Sequence, residues 1–269
     1  MKKYELCIIG TGNMGEAVLS GVLKKKLFIS TEISAIEIDS DKRKLIKKQY
    51  GITCSNNFSL IKSSKRILLA VKPQNIDSLL KEIDKYLSRE TLILSIAAGK
   101  TINDIKKNLT KELPIIRIMP NTPALVGLGV SGICFNDKVT SKQKKDAVKI
   151  FKSIGKVLIF SEDKMNNVTA VSGSGPAYVF YFAEALLESA ESLGFSKKEA
   201  EELVYGTIEG ALLLIKKTSS SPSLLREKVT SKGGTTEAAL NILDKNKVKN
   251  IFKKAIHAAK NRGSQLSGS

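Results

Sequence analysis

A glycine pattern near the N-terminus constrains the fold of this chain more than any other feature. Gly10-x-Gly12-x-x-Gly15 follows a short apolar run and precedes a helix-forming segment from Glu16 to Lys24. In this context the first glycine permits a tight turn, the second leaves room for a pyrophosphate, and the third lets the helix pack closely on the strand. A plain glycine turn is the alternative, but strand, turn and helix together favour dinucleotide binding. We predict that Gly10, Gly12, Asn13, Met14 and Gly15 bind the cofactor.

Short strand-like runs alternate with helical stretches in the first part of the chain, a pattern typical of a parallel sheet covered on both faces. After about Phe160 the strand signals stop and helical signals replace them. We therefore predict an α/β chain, with an N-terminal doubly wound, mostly parallel Rossmann-type sheet in residues 1–160 and an all-α domain in residues 161–269. The predicted strands are Glu5 to Ile9, Glu32 to Ile38, Arg66 to Val71, Thr91 to Ser95, Pro114 to Met119, Val130 to Phe135 and Val157 to Phe160.

Helix starts are predicted from capping patterns. Thr101-x-x-Asp104 and Thr140-x-x-Gln143 mark two starts, the second as a capping box, and Ser196-x-x-Glu199 and Ser221-Pro222 mark two more. The run from Ala177 to Leu187 is apolar almost all round, so the helix that it predicts must be buried on several sides. A domain of about a hundred residues rarely covers such a helix alone, and we expect a homodimer at least.

The charge of the chain is strongly basic. Its 44 Lys and Arg residues exceed its 26 Asp and Glu residues, which gives a net charge of +18. This balance would suit a nucleic-acid binder. However, the lysines come in short groups without the interleaved aromatic residues of a stacking platform. We expect no nucleic-acid partner, and interpret the charge as an aid to solubility and to the capture of anionic ligands.

Cysteine and histidine usage argues against metal and disulfide sites. Cys7, Cys54 and Cys134 are far apart and odd in number, and His257 is the single histidine. The N-terminus lacks the layout of a secretory signal, and no apolar stretch approaches the roughly 20 residues needed to span a bilayer. The sequence therefore predicts a cytoplasmic protein with no membrane association and no metal.

The end of the second predicted strand bears on cofactor choice. An acidic residue about 20 positions after the glycine pattern usually contacts the ribose 2′-hydroxyl and selects NAD. Glu37 and Asp39 both qualify. Lys42 and Arg43 follow them and could instead hold a 2′-phosphate, or be solvated residues of the next helix. The sequence leaves both NADPH and NADH open.

Three further segments are predicted to line the same crevice, because each lies at the carboxyl end of a strand, where open α/β sheets bind ligands. They are Ala70-Val71-Lys72-Pro73, Ser95-Ile96-Ala97-Ala98-Gly99 and Asn121-Thr122-Pro123, and within the last two Ala97, Ala98 and Asn121 are the predicted cofactor residues. Small residues there would let the nicotinamide ribose approach the backbone. The alternative is that Pro73 and Gly99 are merely turn residues.

A second glycine turn before a helix lies late in the chain, in Val229-Thr230-Ser231-Lys232-Gly233-Gly234-Thr235-Thr236. Unpaired N–H groups and the helix dipole at such a turn favour negative charge. Glu162 and the run from Ser172 to Tyr178 open the helical domain with a carboxylate, hydroxyls and a tight turn. The alternative is that the run from Ser172 to Tyr178 is purely structural, an N-cap with proline in the first turn of the helix.

Together and in this order, these motifs resemble those of the pyrroline-5-carboxylate reductase family over the whole chain. Gly10 to Gly15, Ala70 to Pro73, Met119 to Pro123, Ser172 to Tyr178 and Val229 to Thr236 carry the resemblance. It implies reduction of 1-pyrroline-5-carboxylate to L-proline, the last step of proline biosynthesis, with NADPH or NADH. It also implies a homodimer, or a ring of dimers, assembled through the helical domain.

The resemblance also implies a substrate site. The implied substrate-binding residues are Glu162, Ser174, Pro176, Ser231, Gly233, Gly234, Thr235 and Thr236. The substrate carboxylate would be held by N–H groups at the helix start, and the Thr236 hydroxyl would hydrogen-bond the ring nitrogen as the catalytic group. Lys232 departs from the family, in which proline usually precedes the two glycines, and we expect it to loosen the turn.

Two other functions compete with this interpretation. A 3-hydroxyacid dehydrogenase has a similar layout but relies on a lysine deep in the helical domain, and the run from Ala177 to Leu187 contains none. A non-catalytic sensor of nucleotide redox state could use the same crevice. The intact Ser172 to Pro176 and Thr235-Thr236 motifs argue against the sensor.

Overall fold

A computed structural model describes residues 3–267 of the chain. Across these residues eight strands form one sheet in the order β3-β2-β1-β4-β5-β6-β7-β8. Neighbouring strands are parallel except for the antiparallel pair β6 and β7, so the predicted doubly wound, mostly parallel sheet is confirmed. The strands are β1 Leu6–Ile9, β2 Ile33–Ile36, β3 Thr53–Ser55, β4 Arg66–Leu69, β5 Leu92–Ser95, β6 Ile115–Met119, β7 Gly129–Phe135 and β8 Gly155–Ile159.

The central strands form where the sequence carries short runs of apolar residues, many of them β-branched, and β1, β2 and β5 are buried on both faces. In β1, Leu6 and Ile8 belong to one core cluster while Cys7 and Ile9 belong to the other, as the twofold period of a strand requires. The strand β3 was not predicted, because it is only three residues long and buries Cys54 alone.

Helices cover both faces of the sheet. One core cluster includes Val18 and Phe151 from helices α1 and α5, and the other includes Leu80 and Ile105 from α3 and α4. The helices of this part are α1 Asn13–Lys24, α2 Ser40–Tyr50, α3 Ile76–Ile83, α4 Ile102–Lys106, α5 Ser141–Lys152 and the short α6 Met165–Val168.

The predicted helix starts are confirmed. Capping boxes begin α5 at Thr140 and α8 at Ser196, and the Ser221 hydroxyl caps α9. Thr101 also forms a complete capping box with Asp104, because an Asp carboxylate reaches back to the N-cap N–H as Gln143 does. The later helices are α7 Gly175–Ser192, α8 Lys197–Thr218, α9 Pro222–Lys228, α10 Thr235–Lys245 and α11 Val248–Leu266.

Contacts divide the chain into two compact units, one that runs to Gly175 and resumes at Ala259, and a second that spans Pro176–Ala258. The first contains the whole sheet and the last turns of α11. The second is entirely helical apart from its connections. The predicted domain boundary near residue 160 follows directly after β8 and stays a prediction.

The helical unit exposes a large apolar surface. The described residues of α7 include none that is buried, and Phe180 and Tyr181 are 64% and 73% exposed. Exposed apolar surface on this scale marks an interaction site. Among residues 3–267, none of the helices combines the length and apolar character needed to cross a membrane.

Candidate functional site

The turn between β1 and α1 is built from close backbone contacts. Gly10 has a φ of +89°, and a Cβ there would lie 2.7 Å from the carbonyl oxygen of Ala70. A Cβ on Gly15 would lie 2.2 Å from the Gly10 carbonyl oxygen. Both positions therefore require glycine, the first for the turn and the second for close packing of the helix on the strand.

Gly12 differs from its two neighbours in the pattern. Its φ of −61° is ordinary, and no described atom lies within 4 Å of where its Cβ would be. Gly12 is the N-cap of α1 and has no side chain to occupy the N–H groups of the first turn. The space above Gly12 and the positive end of the α1 dipole fit a pyrophosphate.

The strand order reverses at β1, whose neighbours are β2 and β4, and this reversal opens a crevice at the carboxyl ends of β1 and β4. A cleft of about 250 Å³ lies there. It brings together six predicted cofactor residues and adds three that were missing from that set, one of which, Ile96, lies within the predicted segment Ser95-Ile96-Ala97-Ala98-Gly99. The six are Gly12, Asn13, Met14, Ala70, Val71 and Lys72, and the three are Ile96, Met119 and Pro120.

The signal for the three missed residues was present, because each lies at or just after the carboxyl end of β5 or β6. The lining does not include three other predicted residues, Pro73, Ala97 and Ala98, whose cofactor role stays a prediction. Pro73 begins a 3₁₀ turn after β4. Ala97 is buried and contributes its methyl group to the core, whereas Ala98 is exposed.

Glu37 and Asp39 follow β2 and already have protein partners. Glu37 Oε2 accepts hydrogen bonds from Thr11 N at 2.9 Å and Thr11 Oγ1 at 2.8 Å. Asp39 Oδ1 accepts from Asp41 N and Lys42 N, and thereby caps α2. Partial burial would raise the pKa of Glu37, but the hydrogen bonds from Thr11 outweigh it and lower the pKa. Both carboxylates are ionised at neutral pH.

Asn121 joins three segments beside the cleft. Its Nδ2 donates to Ser172 O at 3.2 Å, and its Oδ1 accepts from Val130 N at 2.8 Å. A Cβ on Gly173 would lie 2.4 Å from Met119 Cε. The π-helical segment Thr169–Gly173 is thus held against the ends of β6 and β7. This conformation places Ser174, whose N–H donates to Thr169 O at 2.8 Å, just before Gly175 and Pro176 of α7.

Glu162 takes part in a partly buried polar network around Arg117. Its Oε1 accepts from Ile102 N at 2.7 Å and faces Arg117 Nη1 at 3.4 Å. The Arg117 side chain is only 5% exposed, and its other arm faces Asn166 Oδ1 at 3.3 Å. A buried guanidinium needs such partners to offset its desolvation. Glu162 therefore has a structural role whether or not it contacts substrate.

The second glycine turn lies in the helical unit. Gly234 N donates to Ser231 O at 3.1 Å, and Gly233 has a φ of +76°. This is the geometry of a type II turn, in which proline is common at the position that Lys232 occupies. Gly233 N also donates to Glu237 Oε2 at 2.7 Å. The turn is closed despite Lys232, and the Glu237 carboxylate already takes the Gly233 N–H at the start of α10.

Thr235 and Thr236 are the first two residues of α10, where Gly234 is the N-cap. Thr235 is exposed and Thr236 is half-buried. A hydroxyl on the first turn of a helix points toward the same end of the helix as its unpaired N–H groups. This turn therefore combines N–H donors for a carboxylate with a hydroxyl for a neighbouring polar atom.

Comparison with known proteins gives the family. Residues 162–266 match the profile described as pyrroline-5-carboxylate reductase dimerisation. Over 265 residues the chain is 32% identical to the pyrroline-5-carboxylate reductase of Staphylococcus aureus and 33% identical to that of Staphylococcus haemolyticus, covering 98% of each chain. The chain belongs to the pyrroline-5-carboxylate reductase family. Residues 5–99 also match the profile described as NADP oxidoreductase, coenzyme F420-dependent.

Solved structures of the same family superpose closely on the chain. The pyrroline-5-carboxylate reductase of Coxiella burnetii is 36% identical with a TM-score of 0.90, and covers 98% of this chain and 99% of its own. The Plasmodium falciparum pyrroline carboxylate reductase, solved with NADP bound, is 31% identical with a TM-score of 0.89 and covers 99% of each chain. The resemblance seen in the sequence motifs is thereby confirmed.

The dimerisation profile of the reductase family covers the helices that expose apolar side chains. It includes all of α7, with Phe180 and Tyr181. This match and the exposed surface agree with the predicted homodimer. A second subunit would bury the apolar side chains that a single chain leaves in water.

The geometry at Gly12 predicts that an alanine there is harmless to the fold but harmful to cofactor binding. The added methyl group meets no described atom, and alanine at an N-cap is only moderately less favourable than glycine, so the melting temperature of Gly12→Ala should lie within a few degrees of that of the parent. The methyl group would occupy the space above α1, and we expect the Kd for NAD(P)H, measured by nicotinamide fluorescence, to rise about tenfold or more. An unchanged Kd would contradict the assignment of the pyrophosphate to the space above Gly12.

The type II turn predicts that Lys232→Pro stabilises the protein. Proline restricts the unfolded chain, and the free energy of unfolding from urea denaturation should increase by about 0.4–1 kcal/mol. Lys232→Ala serves as the control, because it removes the cation without the ring constraint. Equal stability of the two variants would contradict the turn assignment.

Proposed function

We propose that the chain catalyses the reduction of 1-pyrroline-5-carboxylate to L-proline, with NADPH or NADH as the hydride donor. The observation that carries this proposal is the match to pyrroline-5-carboxylate reductases over 98% of the chain. The cleft at the ends of β1 and β4 supports it, because that cleft has the glycine geometry of a dinucleotide site.

The chemistry needs little from the protein beyond binding and orientation. When bound, the reduced nicotinamide supplies the hydride that the C=N carbon accepts. A cyclic imine that is readily protonated is already an electrophile, so neither a metal nor a strong acid is required. The protein's contribution is to hold the ring and the hydride donor in a reactive arrangement.

On the cofactor side, we assign the pyrophosphate to the start of α1, at Gly12, Asn13 and Met14. Gly10 and Gly15 maintain the turn that leaves this helix start accessible. The segment Ala70-Val71-Lys72-Pro73 and residues Ala97, Ala98 and Asn121 keep their predicted role beside the nicotinamide ribose. Asn121 has a positioning role in addition, through its hydrogen bonds to Ser172 O and Val130 N.

On the substrate side, we assign the carboxylate to the N–H groups at the start of α10. Gly233 and Gly234 shape this turn, and Gly234 packs against Ser231 so closely that a Cβ would lie 2.5 Å from its hydroxyl. The Thr236 hydroxyl donates a hydrogen bond to the ring nitrogen, or accepts one from its protonated form. Glu162, Ser174, Pro176, Ser231 and Thr235 complete the proposed substrate-binding residues.

The decisive test of the function is turnover of the imine. Purified protein with NADPH or NADH and 1-pyrroline-5-carboxylate should lose the absorbance of the reduced nicotinamide and form an equal amount of proline. A sensor of nucleotide redox state would bind the cofactor without this loss. Cofactor binding with no proline formed would refute the proposed function.

We further propose that the reductase assembles as a homodimer, or as a ring of dimers, through the helical unit, and that it works in the cytoplasm. The dimerisation profile over residues 162–266 supports the assembly. The cysteines Cys7, Cys54 and Cys134 are all buried and unpaired, which suits a reducing compartment.

Removal of the Thr236 hydroxyl should slow the reaction while sparing the cofactor. We expect Thr236→Ala to lower kcat/KM for the imine by about 10²-fold, the size seen when one positioned hydrogen-bonding group is lost, with the Kd for NADPH unchanged. Thr236→Ser keeps the hydroxyl and should recover most of the activity. Equal kcat/KM in the parent and Thr236→Ala would remove the assigned role.

The exposed apolar face of α7 predicts that a charge there prevents assembly. Phe180→Glu should shift the mass measured by sedimentation toward the monomer, since a buried unpaired carboxylate is costly. Gln49→Glu makes the same change of charge on exposed α2 and should leave the mass unchanged. The mass of the parent protein in the same sedimentation experiment also shows whether it forms a single dimer or a ring of dimers. A monomeric parent would contradict the proposed assembly.

A further inference from the structure

We propose that Glu37 makes this reductase select NADH over NADPH, by accepting hydrogen bonds from the adenosine ribose and repelling a 2′-phosphate. This proposal rests on the proposed use of a nicotinamide cofactor. It is not a property of the family as a whole, since the Plasmodium falciparum relative was solved with NADP. It follows from how the residues after β2 are held in this chain.

The register of the sheet places Glu37 beside the glycine turn. Gly10 N donates to Ile36 O at 2.8 Å, so β2 ends level with the start of that turn. Glu37 is the next residue, and its own N–H donates to Ser55 O at 3.0 Å in β3. Its backbone is therefore fixed on both sides by neighbouring strands. This position is where dinucleotide-binding folds meet the adenosine ribose.

The carboxylate of Glu37 is as firmly held as its backbone. Oε2 accepts from Thr11 N and Thr11 Oγ1, and Oε1 accepts from Asp39 N at 3.2 Å. Thr11 itself is fully buried. A carboxylate oxygen has about two lone-pair sites, so Oε1 with one donor can accept another. A ribose 2′-hydroxyl is a donor that matches it.

A 2′-phosphate would meet the opposite chemistry. It is an acceptor with a charge of about −1.5 to −2 near neutral pH, and Glu37 has no proton to offer it. The hydrogen bonds from Thr11 lower the pKa of Glu37, so the carboxyl stays charged. Asp39 is also ionised, because the N–H groups of Lys42 and Asp41 lower its pKa. Two carboxylates near one phosphate oppose its binding.

Arg43 is the cation best placed to offset this repulsion, and its guanidinium already hydrogen-bonds the backbone. Arg43 Nη1 donates to the carbonyl oxygens of Glu37 at 2.8 Å and of Ile38 at 2.6 Å. Turning Nη1 toward a phosphate would break both hydrogen bonds at the end of β2, so only Nη2 and Nε can be offered to a ligand without that loss. Lys42 uses only its backbone N–H in the helix cap, and its ammonium stands against the charges of both Glu37 and Asp39. Held in place by Thr11 N and Thr11 Oγ1, Glu37 therefore decides between the two alternatives that the sequence left open.

The test compares the two cofactors by binding and by turnover. The Kd values of NADH and NADPH are measured by nicotinamide fluorescence, and kcat/KM for each is measured with 1-pyrroline-5-carboxylate. We expect the parent to favour NADH about tenfold or more in both ratios, equivalent to about 1.4 kcal/mol. Glu37→Gln keeps the acceptor oxygen but removes the charge, and should shift both ratios toward NADPH about tenfold.

Asp41→Asn is the matched control, because it removes the same charge from an exposed side chain four residues away. Its ratios should equal those of the parent. A parent that binds NADPH as tightly as NADH overturns the proposal, and so does an equal shift in Glu37→Gln and Asp41→Asn. The ratio of the two Kd values is measured without turnover. It therefore tests this inference even if the protein forms no proline, and the two failures can be told apart.

A second variant keeps the test decisive if Glu37→Gln does not fold, as judged by thermal unfolding. The Ile38 side chain is 85% exposed next to Glu37. Ile38→Arg leaves Glu37 intact but adds a cation beside it, and should reduce the preference for NADH by about tenfold. An unchanged ratio of Kd values in Ile38→Arg would overturn the proposed repulsion.

Discussion

Close approach of the β1–α1 turn to the end of β4 is the constraint on which the rest of the structure depends. Gly10 lies against the carbonyl of Ala70, and Gly15 lies against the carbonyl of Gly10, at distances that exclude any Cβ. These contacts bring the start of α1 to the point where the strand order reverses. Without them α1 would lie further from the sheet, and its N–H groups would no longer face the cleft.

The residues around the cleft are held by polar contacts that serve both structure and site. Thr11 and Glu37 join the glycine turn to β2, and Asn121 joins the ends of β6 and β7 to the π-helical segment. The Arg117–Glu162 pair holds the start of α4. Such contacts keep binding groups in place before the ligand arrives, which reduces the entropy lost on binding.

Much of this fold could be predicted from the sequence, because its signals are local. Seven of the eight strands and the capped helix starts follow from apolar runs and from pairs such as Thr140 with Gln143. The third strand was missed because three residues are too few to show a period. The hydrogen bonds from Thr11 to Glu37 and from Ile102 to Glu162 could not be predicted, because these donors lie 26 and 60 positions away along the chain.

By itself the sequence determined the sheet-plus-helix architecture, the glycine turns and the family, since glycine geometry and apolar periodicity depend on neighbouring residues. The tertiary structure alone decided that the Glu37 carboxylate accepts from Thr11, that Asn121 joins Ser172 to Val130, and that Glu162 accepts from Ile102 at the start of α4. These relations depend on strand order and on side-chain direction in space. A linear pattern shows which groups are present, whereas hydrogen bonding between distant segments decides which of them remain available to a ligand.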